Sequence, residues 1–179
     1  MHTADLIVIG AGPAGMAAAA TAASAGLDVV ILDEQPQAGG QIYRDVTRAA
    51  PARGHILGDD FSDGLPLVQG LENNGISHVT GATVWKIDAD GQVAYSVQGR
   101  GAVAQGARVL LATGALERSM PIPGWTLPGV MTAGAAQILL KQSGLLPRRA
   151  VLAGSGPLLY LIASQMVSAG TPPLALVET

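Results

Sequence analysis

The sequence contains no cysteine. That excludes disulfide staples, thiolate metal sites and a C-x-x-C redox pair within its 179 residues. It also fits a reducing cytoplasm, the expected compartment. Charge is scarce as well: Asp, Glu, Lys and Arg make up 13% of the chain, the formal net charge is −3, and the ten Lys and Arg are scattered. No basic footprint for a nucleic acid exists. No G-x-S-x-G is present, so a serine-hydrolase elbow has no support. His2, His55 and His78 are far apart without metal-ligand spacing. They read as surface or loop residues, and no metal is expected. Long unbroken apolar runs are missing too. Residues 6–32 are interrupted by Gly10, Gly12, Pro13, Gly15 and Asp28, whereas a spanning helix needs about 20 nearly continuous apolar residues. The opening MHTAD lacks the Lys or Arg of a signal n-region. A soluble chain without a transmembrane segment is expected.

What is present is apolar material, 49% of the residues, enough for one ordinary domain or slightly more. Asp5-Leu-Ile-Val-Ile9 is a short run without polar alternation, the pattern of a parallel strand buried on both faces. Gly10-Ala-Gly-Pro-Ala-Gly15 follows, then an alanine-rich tract to Ala25 with Gly26 as a natural stop. Asp28-Val-Val-Ile-Leu32 is the second buried strand. Strand, glycine turn, helix and strand form one βαβ unit.

Residues 34–64 are turn-rich and read as mostly irregular. Asp63 is a candidate cap for a helix over Leu65–Asn73, ended by Asn74-Gly75. Candidate strands follow at 83–88, 92–98 and 101–104, with Asp90-Gly91 as a hairpin signal. The buried run Val109–Ala112 leads into Thr113-Gly114. Pro121, Pro123 and Pro128 make 119–129 a loop, and Met131–Gln142 is a helix closed by Gly144. The opening grammar then repeats: a strand at 150–153, the turn Gly154-Ser-Gly156-Pro157, a helix over 158–168 and a strand at 174–178. This second βαβ unit stops just after its second strand, so the sequence reads as the front part of something longer.

The three glycines of the first turn have separate tasks. Gly10 permits the tight turn, Gly12 lets a pyrophosphate approach the backbone, and Gly15 lets the helix pack on the sheet. The helix mouth offers free N–H groups and a positive dipole end to an anion. An acid at the second strand tip is needed for the ribose hydroxyls. Asp33 stands there, with Glu34 beside it, and Asp33 is favoured by its place on the strand. The fingerprint fits FAD and NAD alike. The string Gln35-Pro-Gln-Ala-Gly-Gly-Gln-Ile-Tyr-Arg44 favours FAD. A glycine pair brings the chain back over the ligand, and Gln41 offers an amide to a polar ring. A plain NAD-dependent dehydrogenase, the alternative, would pass straight into its next helix; a surface glycine turn is the bland reading.

GAGPAG, the Asp-Glu pair, GGQIYR, LLATGALER and PIPGWTLPGVMTAGAAQ resemble the flavoproteins with two dinucleotide-binding domains, the pyridine nucleotide-disulphide oxidoreductase superfamily. Within it the likeness is strongest to the FAD-dependent amine and amino-acid oxidoreductases of several subunits. These are the A subunits of opine oxidase, the flavoprotein subunits of hydrogen cyanide synthase, and the alpha subunits of proline or hydroxyproline dehydrogenases. The resemblance covers essentially the whole chain.

It implies that Gly10, Gly12, Pro13, Ala14 and Gly15 surround the FAD pyrophosphate, and that Asp33 or Glu34 binds the ribose. It places Gly40 and Gln41 near the ribityl and flavin, with Tyr43 and Arg44 just beyond. It has Val84 touching adenine through its backbone, and Ala112, Thr113 and Gly114 closing over the cofactor. Gly154 and Gly156 would open an NAD(P)-type domain, but Leu159 stands where the third glycine belongs. Trp125 and Met16 read as packing residues, and Glu117 and Arg118 as a solvated pair.

The expected architecture is α/β: a Rossmann-type FAD-binding domain over 1–120 with a β-rich insertion, a connecting loop and helix over 121–147, and the start of a second Rossmann-like unit over 148–179. In the family a later C-terminal segment completes the FAD domain. The expected activity is flavin-dependent oxidation of an amine, opine or amino or imino acid, within a hetero-oligomer of oxidoreductase subunits, with the small-molecule substrate site on either chain. No catalytic residue is identified. A truncated, non-catalytic nucleotide-binding fragment is the reading from another class.

Overall fold

The computed structural model describes residues 2–72 and 75–178. They divide into two units, Met1–Val46 with Asp63–Gly114, and Thr47–Ser62 with Ala115–Thr179.

The first unit is built on a six-stranded sheet. Its strands are β1 (His2–Ile9), β2 (Val29–Asp33), β3 (Ile76–Thr80), β4 (Ala82–Ile87), β5 (Gln92–Val97) and β6 (Arg100–Leu111), in the order β3-β2-β1-β6-β5-β4. Strands β3, β2, β1 and β6 run parallel, while β6, β5 and β4 form an antiparallel meander. Helix α1 (Pro13–Ser24) crosses from β1 to β2. Successive strand side chains point to opposite faces, and here both faces are covered. Ile7, Ile9, Val30 and Leu32 pack against Ala82, Val93, Tyr95 and Ala104 of the meander. Val8, Val29 and Ile31 pack against Ala11, Met16 and Ala19 at the α1 side. That double burial is why β1 and β2 read as unbroken apolar runs. The alanines of α1 are small enough to let the helix lie close to the sheet, and Gly26, at φ +85°, ends it.

Three expectations are corrected. The runs 101–104 and 109–112 belong to one strand, β6, whose first half pairs antiparallel with β5 and whose second half pairs parallel with β1. Residues 105–108 continue the strand; Gly106 sits opposite Ala4, and a Cβ there would lie 2.8 Å from the Ile7 side chain. Crowding from the neighbouring strand explains the glycine. Next, Val46–Leu57 is a helix, α2, not irregular chain. Buried Val46, Ala49 and Leu57 form its apolar stripe, so packing overrides Pro51 and Gly54. Last, helix α3 (Gly64–Gln69) follows a 3-10 turn at Asp59–Asp63 without a break, so Asp63 is itself helical and makes no side-chain cap. Residues 73 and 74, the expected end of this helix, lie outside the described residues.

The second unit contains most of α2, helix α4 (Ala133–Ser143), and a parallel pair β7 (Val151–Gly154) and β8 (Ala175–Glu178) joined by α5 (Pro157–Ser168). Its core holds Leu140, Ile162 and Met166. Thr132 caps α4 through Ala135 N at 3.3 Å, and the Glu117 carboxylate accepts from Gly134 N at 2.7 Å. Glu117 is exposed, and its carboxylate also binds the mouth of a helix. Trp125 is 45% exposed, not packed inside. Among the described residues no helix is long and apolar enough to cross a membrane.

The core assignment has a direct check. Ile7→Ala, at a fully buried site, should lower stability by about 2–5 kcal/mol. Trp85→Ala, at a site 63% exposed, should change it by no more than about 0.5 kcal/mol. Denaturant unfolding of the two variants reads the difference.

Candidate functional site

The carboxyl ends of β1 and β2 and the start of α1 meet around one peptide. Ala11 N–H donates to Asp33 Oδ2, and Ala11 C=O accepts from Gly39 N at 2.8 Å. Both ends of that residue are held, which fixes the glycine turn relative to the β2 tip. Gly10 has φ +101°, and a Cβ on it would stand 2.4 Å from Ala112 O. A Cβ on Gly15 would stand 1.9 Å from Gly10 O. Both positions require glycine for the fold itself.

Gly12 is different. Its φ is −73°, open to any residue, and among the described residues a Cβ would meet only the Gly40 Cα at 3.9 Å. No crowding from the chain requires glycine there; a side chain would only fill the space before the helix mouth. Around that space the first N–H groups of α1 lack intrahelical partners. Pro13 removes one, and Met16 N bonds back to Gly12 O at 2.9 Å, leaving those of Ala14 and Gly15 for a ligand.

The glycine pair folds over this turn. Gly40, at φ +62°, comes so close that its Cβ would be 2.8 Å from Gly12 Cα. Tyr43 N donates to Gly39 O at 3.0 Å, and the Tyr43 ring lies against Gly64, where a Cβ would be 2.4 Å from it. Tyr43 thus belongs to the packing on the α1 side of the sheet. Gln41 is half-buried. Ala112 N donates to Ile9 O at 2.8 Å, which brings Ala112 and Thr113 beside Gly10; Gly114 follows at φ +68°.

Asp33 is only 6% exposed and also accepts from Gln35 N at 2.6 Å through Oδ1. Glu34 is exposed and accepts from Gln35 Nε2 at 3.2 Å. Gln35 Oε1 accepts from Arg44 Nη1, and Gln35 O accepts from Gly81 N at 3.2 Å. Val84 stands three residues beyond Gly81 on β4, paired with Tyr95, next to a bulge, with its side chain against the core. The fold thus assembles Gly10–Gly15, Asp33, Gly40, Ala112 and Thr113 around one turn, and links Glu34 and Arg44 to it through Gln35. No direct contact joins Val84 to that turn among the described bonds.

Two residues of this region escape sequence reasoning. Gln35 carries no pattern of its own; only the fold shows that four partners converge on it. His78, expected at the surface or in a loop, lies in β3 opposite Ile31, with Nε2 enclosed and without a hydrogen-bond partner among the described residues. Burial lowers its pKa, and the nearby Asp33 charge opposes that shift.

In the second unit, Gly154 (φ +143°) and Gly156 (φ +93°) form the turn before α5, and among the described residues a Cβ on either would have no contact within 4 Å. Leu159, in place of a third glycine, is buried in the core. Glu178 pairs with Gly154 across β7 and β8, and the Tyr160 hydroxyl is hydrogen-bonded to it, which raises the phenol pKa. Two hollows of about 320 and 460 Å³ lie at the other end of the first sheet, around Thr3, Ala4 and Asp28. That is away from the strand ends where α/β sheets bind ligands. Among the described residues no group of three His, Asp or Glu is placed to hold a metal.

Residues 4–177 match the model of a family described as pyridine nucleotide-disulphide oxidoreductase. The chain is 50% identical over 184 residues to the opine oxidase A subunit of Agrobacterium tumefaciens, covering 98% of this chain and 37% of that one. It is 36% identical over 178 residues to hydrogen cyanide synthase subunit HcnB of Pseudomonas aeruginosa, covering 92% and 36%. It therefore spans little more than a third of the curated relatives it matches. Its fold is similar to that of L-proline dehydrogenase from P. horikoshii, with a TM-score of 0.80 at 19% identity over 98% of this chain and 35% of that one.

His78 makes a pH prediction. Its folded-state pKa lies below the ordinary value of 6.5. As pH falls, the unfolded chain takes up the proton first, so the stability due to the neutral imidazole is complete above about pH 6.5 and drains away below it. Between about pH 7.5 and pH 5, the melting temperature of His78→Gln should fall less steeply than that of the wild type. Equal slopes would mean that the imidazole is solvated.

Proposed function

Because this chain belongs to the pyridine nucleotide-disulphide oxidoreductase family, we propose that its first unit holds the FAD of an oxidoreductase subunit that oxidises an amine, an opine or an amino or imino acid. The observation that carries the reading is the empty space at Gly12. The fold forces glycine at positions 10 and 15 but not at 12, so a glycine there serves a ligand. The ligand must be anionic, since it faces free N–H groups and the positive end of α1.

FAD fits the residues present. Ala14 and Gly15 N–H would hold its pyrophosphate, with Gly10, Gly12 and Pro13 shaping the turn. Asp33 and Glu34 would hold the ribose hydroxyls. Gly40 and Gln41 would flank the flavin half, with Tyr43 just beyond, Arg44 turned to the acidic strand tip through Gln35, Val84 toward adenine, and Ala112, Thr113 and Gly114 closing the cleft. Bound there, the flavin supplies the electron-transfer chemistry. The protein's part is to orient and shield it, since none of these residues stands out as a general acid or base. The regions 1–120, 121–147 and 148–179 are proposed as FAD domain, connector and start of an NAD(P)-type domain, with Gly154 and Gly156 at its turn. The relatives are named as subunits, which supports a hetero-oligomeric assembly, here placed in the cytoplasm.

Gly12→Ala tests this reading. The variant should unfold like the wild type, because φ and local space allow alanine. Its FAD affinity, read by flavin absorbance on reconstitution, should fall roughly tenfold to a hundredfold, the effect of displacing hydrogen-bonded phosphate oxygens. A wild-type protein that takes up no FAD overturns the assignment, and undiminished binding by the variant overturns the placement. Bleaching of bound flavin by opines, amino acids or secondary amines identifies the substrate class.

A further inference from the structure

We infer that Gln35 is a positioning residue of this flavin site, whose side-chain amide carries the influence of Arg44 to the acidic strand tip and leaves the Glu34 carboxylate open to ribose hydroxyls. The inference rests on the FAD reading above and assigns a role to a residue outside the glycine fingerprint.

The amide can be oriented in only one way. Arg44 offers donors alone, and an ionised Glu34 offers acceptors alone. Gln35 Oε1 therefore faces Arg44 Nη1, and Gln35 Nε2 faces Glu34 Oε1 at 3.2 Å. The Gln35 backbone is pinned independently, its N–H by Asp33 Oδ1 at 2.6 Å and its C=O by Gly81 N at 3.2 Å. A fixed backbone leaves the side chain little choice of direction.

The arrangement meets an electrostatic need. Asp33 and Glu34 are adjacent carboxylates near the place where a doubly charged pyrophosphate would sit. Like charges at such spacing repel. A direct Arg44–Glu34 ion pair would relieve this but would occupy the oxygens that must accept from a ribose. Among the described residues Arg44 makes no ion pair; its guanidinium ends on the Gln35 amide, with its Nε enclosed and without an acceptor. The cation thus lies one residue behind the acids, polarises the amide toward Glu34, and blocks none of the carboxylate's remaining lone pairs. The exposed Gln35–Glu34 bond adds little stability alone; its effect is directional.

A double-mutant cycle tests this in the full chain. Gln35→Ala keeps both backbone bonds and removes both side-chain bonds. It should weaken FAD binding about tenfold, while the melting temperature of the FAD-free protein stays close to that of the wild type. Arg44→Met should weaken FAD by a similar factor, and the double variant no further, because the two side chains act as one path. Arg44→Lys keeps the charge without the planar fork and should recover part of the loss. Gln35→Glu, nearly isosteric, reports independently should the alanine variant misfold; it should also bind FAD more weakly, since it puts a carboxylate against Glu34. Losses that simply add, or wild-type affinity in Gln35→Ala or Gln35→Glu, overturn the inference while leaving the flavin reading intact. Absence of FAD uptake by the wild type overturns both.

Discussion

The candidate site depends on one residue being held at both its backbone ends. Ala11 gives its N–H to the Asp33 carboxylate and takes the N–H of Gly39 on its carbonyl. Together with the Gly10 N–H bond to Leu32 O at 2.8 Å and the packing of Gly40 on Gly12, that clamp fixes the turn between β1 and α1 relative to the β2 tip and the glycine pair. With it, three stretches far apart in sequence share one geometry. A buried carboxylate needs strong partners, and Asp33 finds two on the backbone, at Ala11 and Gln35. The acid is thus part of the scaffold as well as a candidate ligand group, since a carboxylate has about four lone-pair sites and these bonds use only some of them.

The glycines separate what the fold requires from what a ligand requires. At Gly10 and Gly15 an added carbon would collide with backbone, and at Gly40 it would strike Gly12. These residues let three pieces of chain touch. Gly12 lacks such a neighbour among the described residues, and its smallness is what the proposed pyrophosphate site would use. The turn of the second unit has the opposite character: among the described residues an added carbon on Gly154 or Gly156 would meet nothing within 4 Å, and Leu159 fills the core where a third glycine would bring helix and strand together. Two similar strings therefore make one tightly assembled turn and one open turn.

Around the clamp, charge is handled by indirect means. Asp33 rests on backbone N–H groups, Arg44 reaches the acidic tip through Gln35, and burial lowers the His78 pKa against the opposing charge of Asp33. None of these is a direct ion pair. Such an arrangement leaves lone pairs of the exposed Glu34 carboxylate uncommitted, as the proposed contact with ribose hydroxyls would require.

Much of this was legible in the residues. The runs 5–9 and 28–32, the glycine spacing, the alanine helix and the acid after the second strand give the βαβ unit directly, because burial on both faces and a tight turn leave marks on local composition. The hairpin at Asp90-Gly91 and the capped helix before Gly144 were equally plain. The continuity of β6, the helix over Val46–Leu57 and the embedding of His78 were not, because each depends on a neighbour distant in sequence: Ile7 and β1 for Gly106, a buried stripe for the helix with Pro51, and β2 for His78. The same holds for Gln35. By itself the sequence determined which residues bend the chain, bury it and could meet a phosphate, since those are properties of single residues and short spacings. Only the tertiary structure decided which glycines the fold needs and which side chains meet at Gln35, because steric crowding and hydrogen bonding act between atoms that chain order leaves far apart.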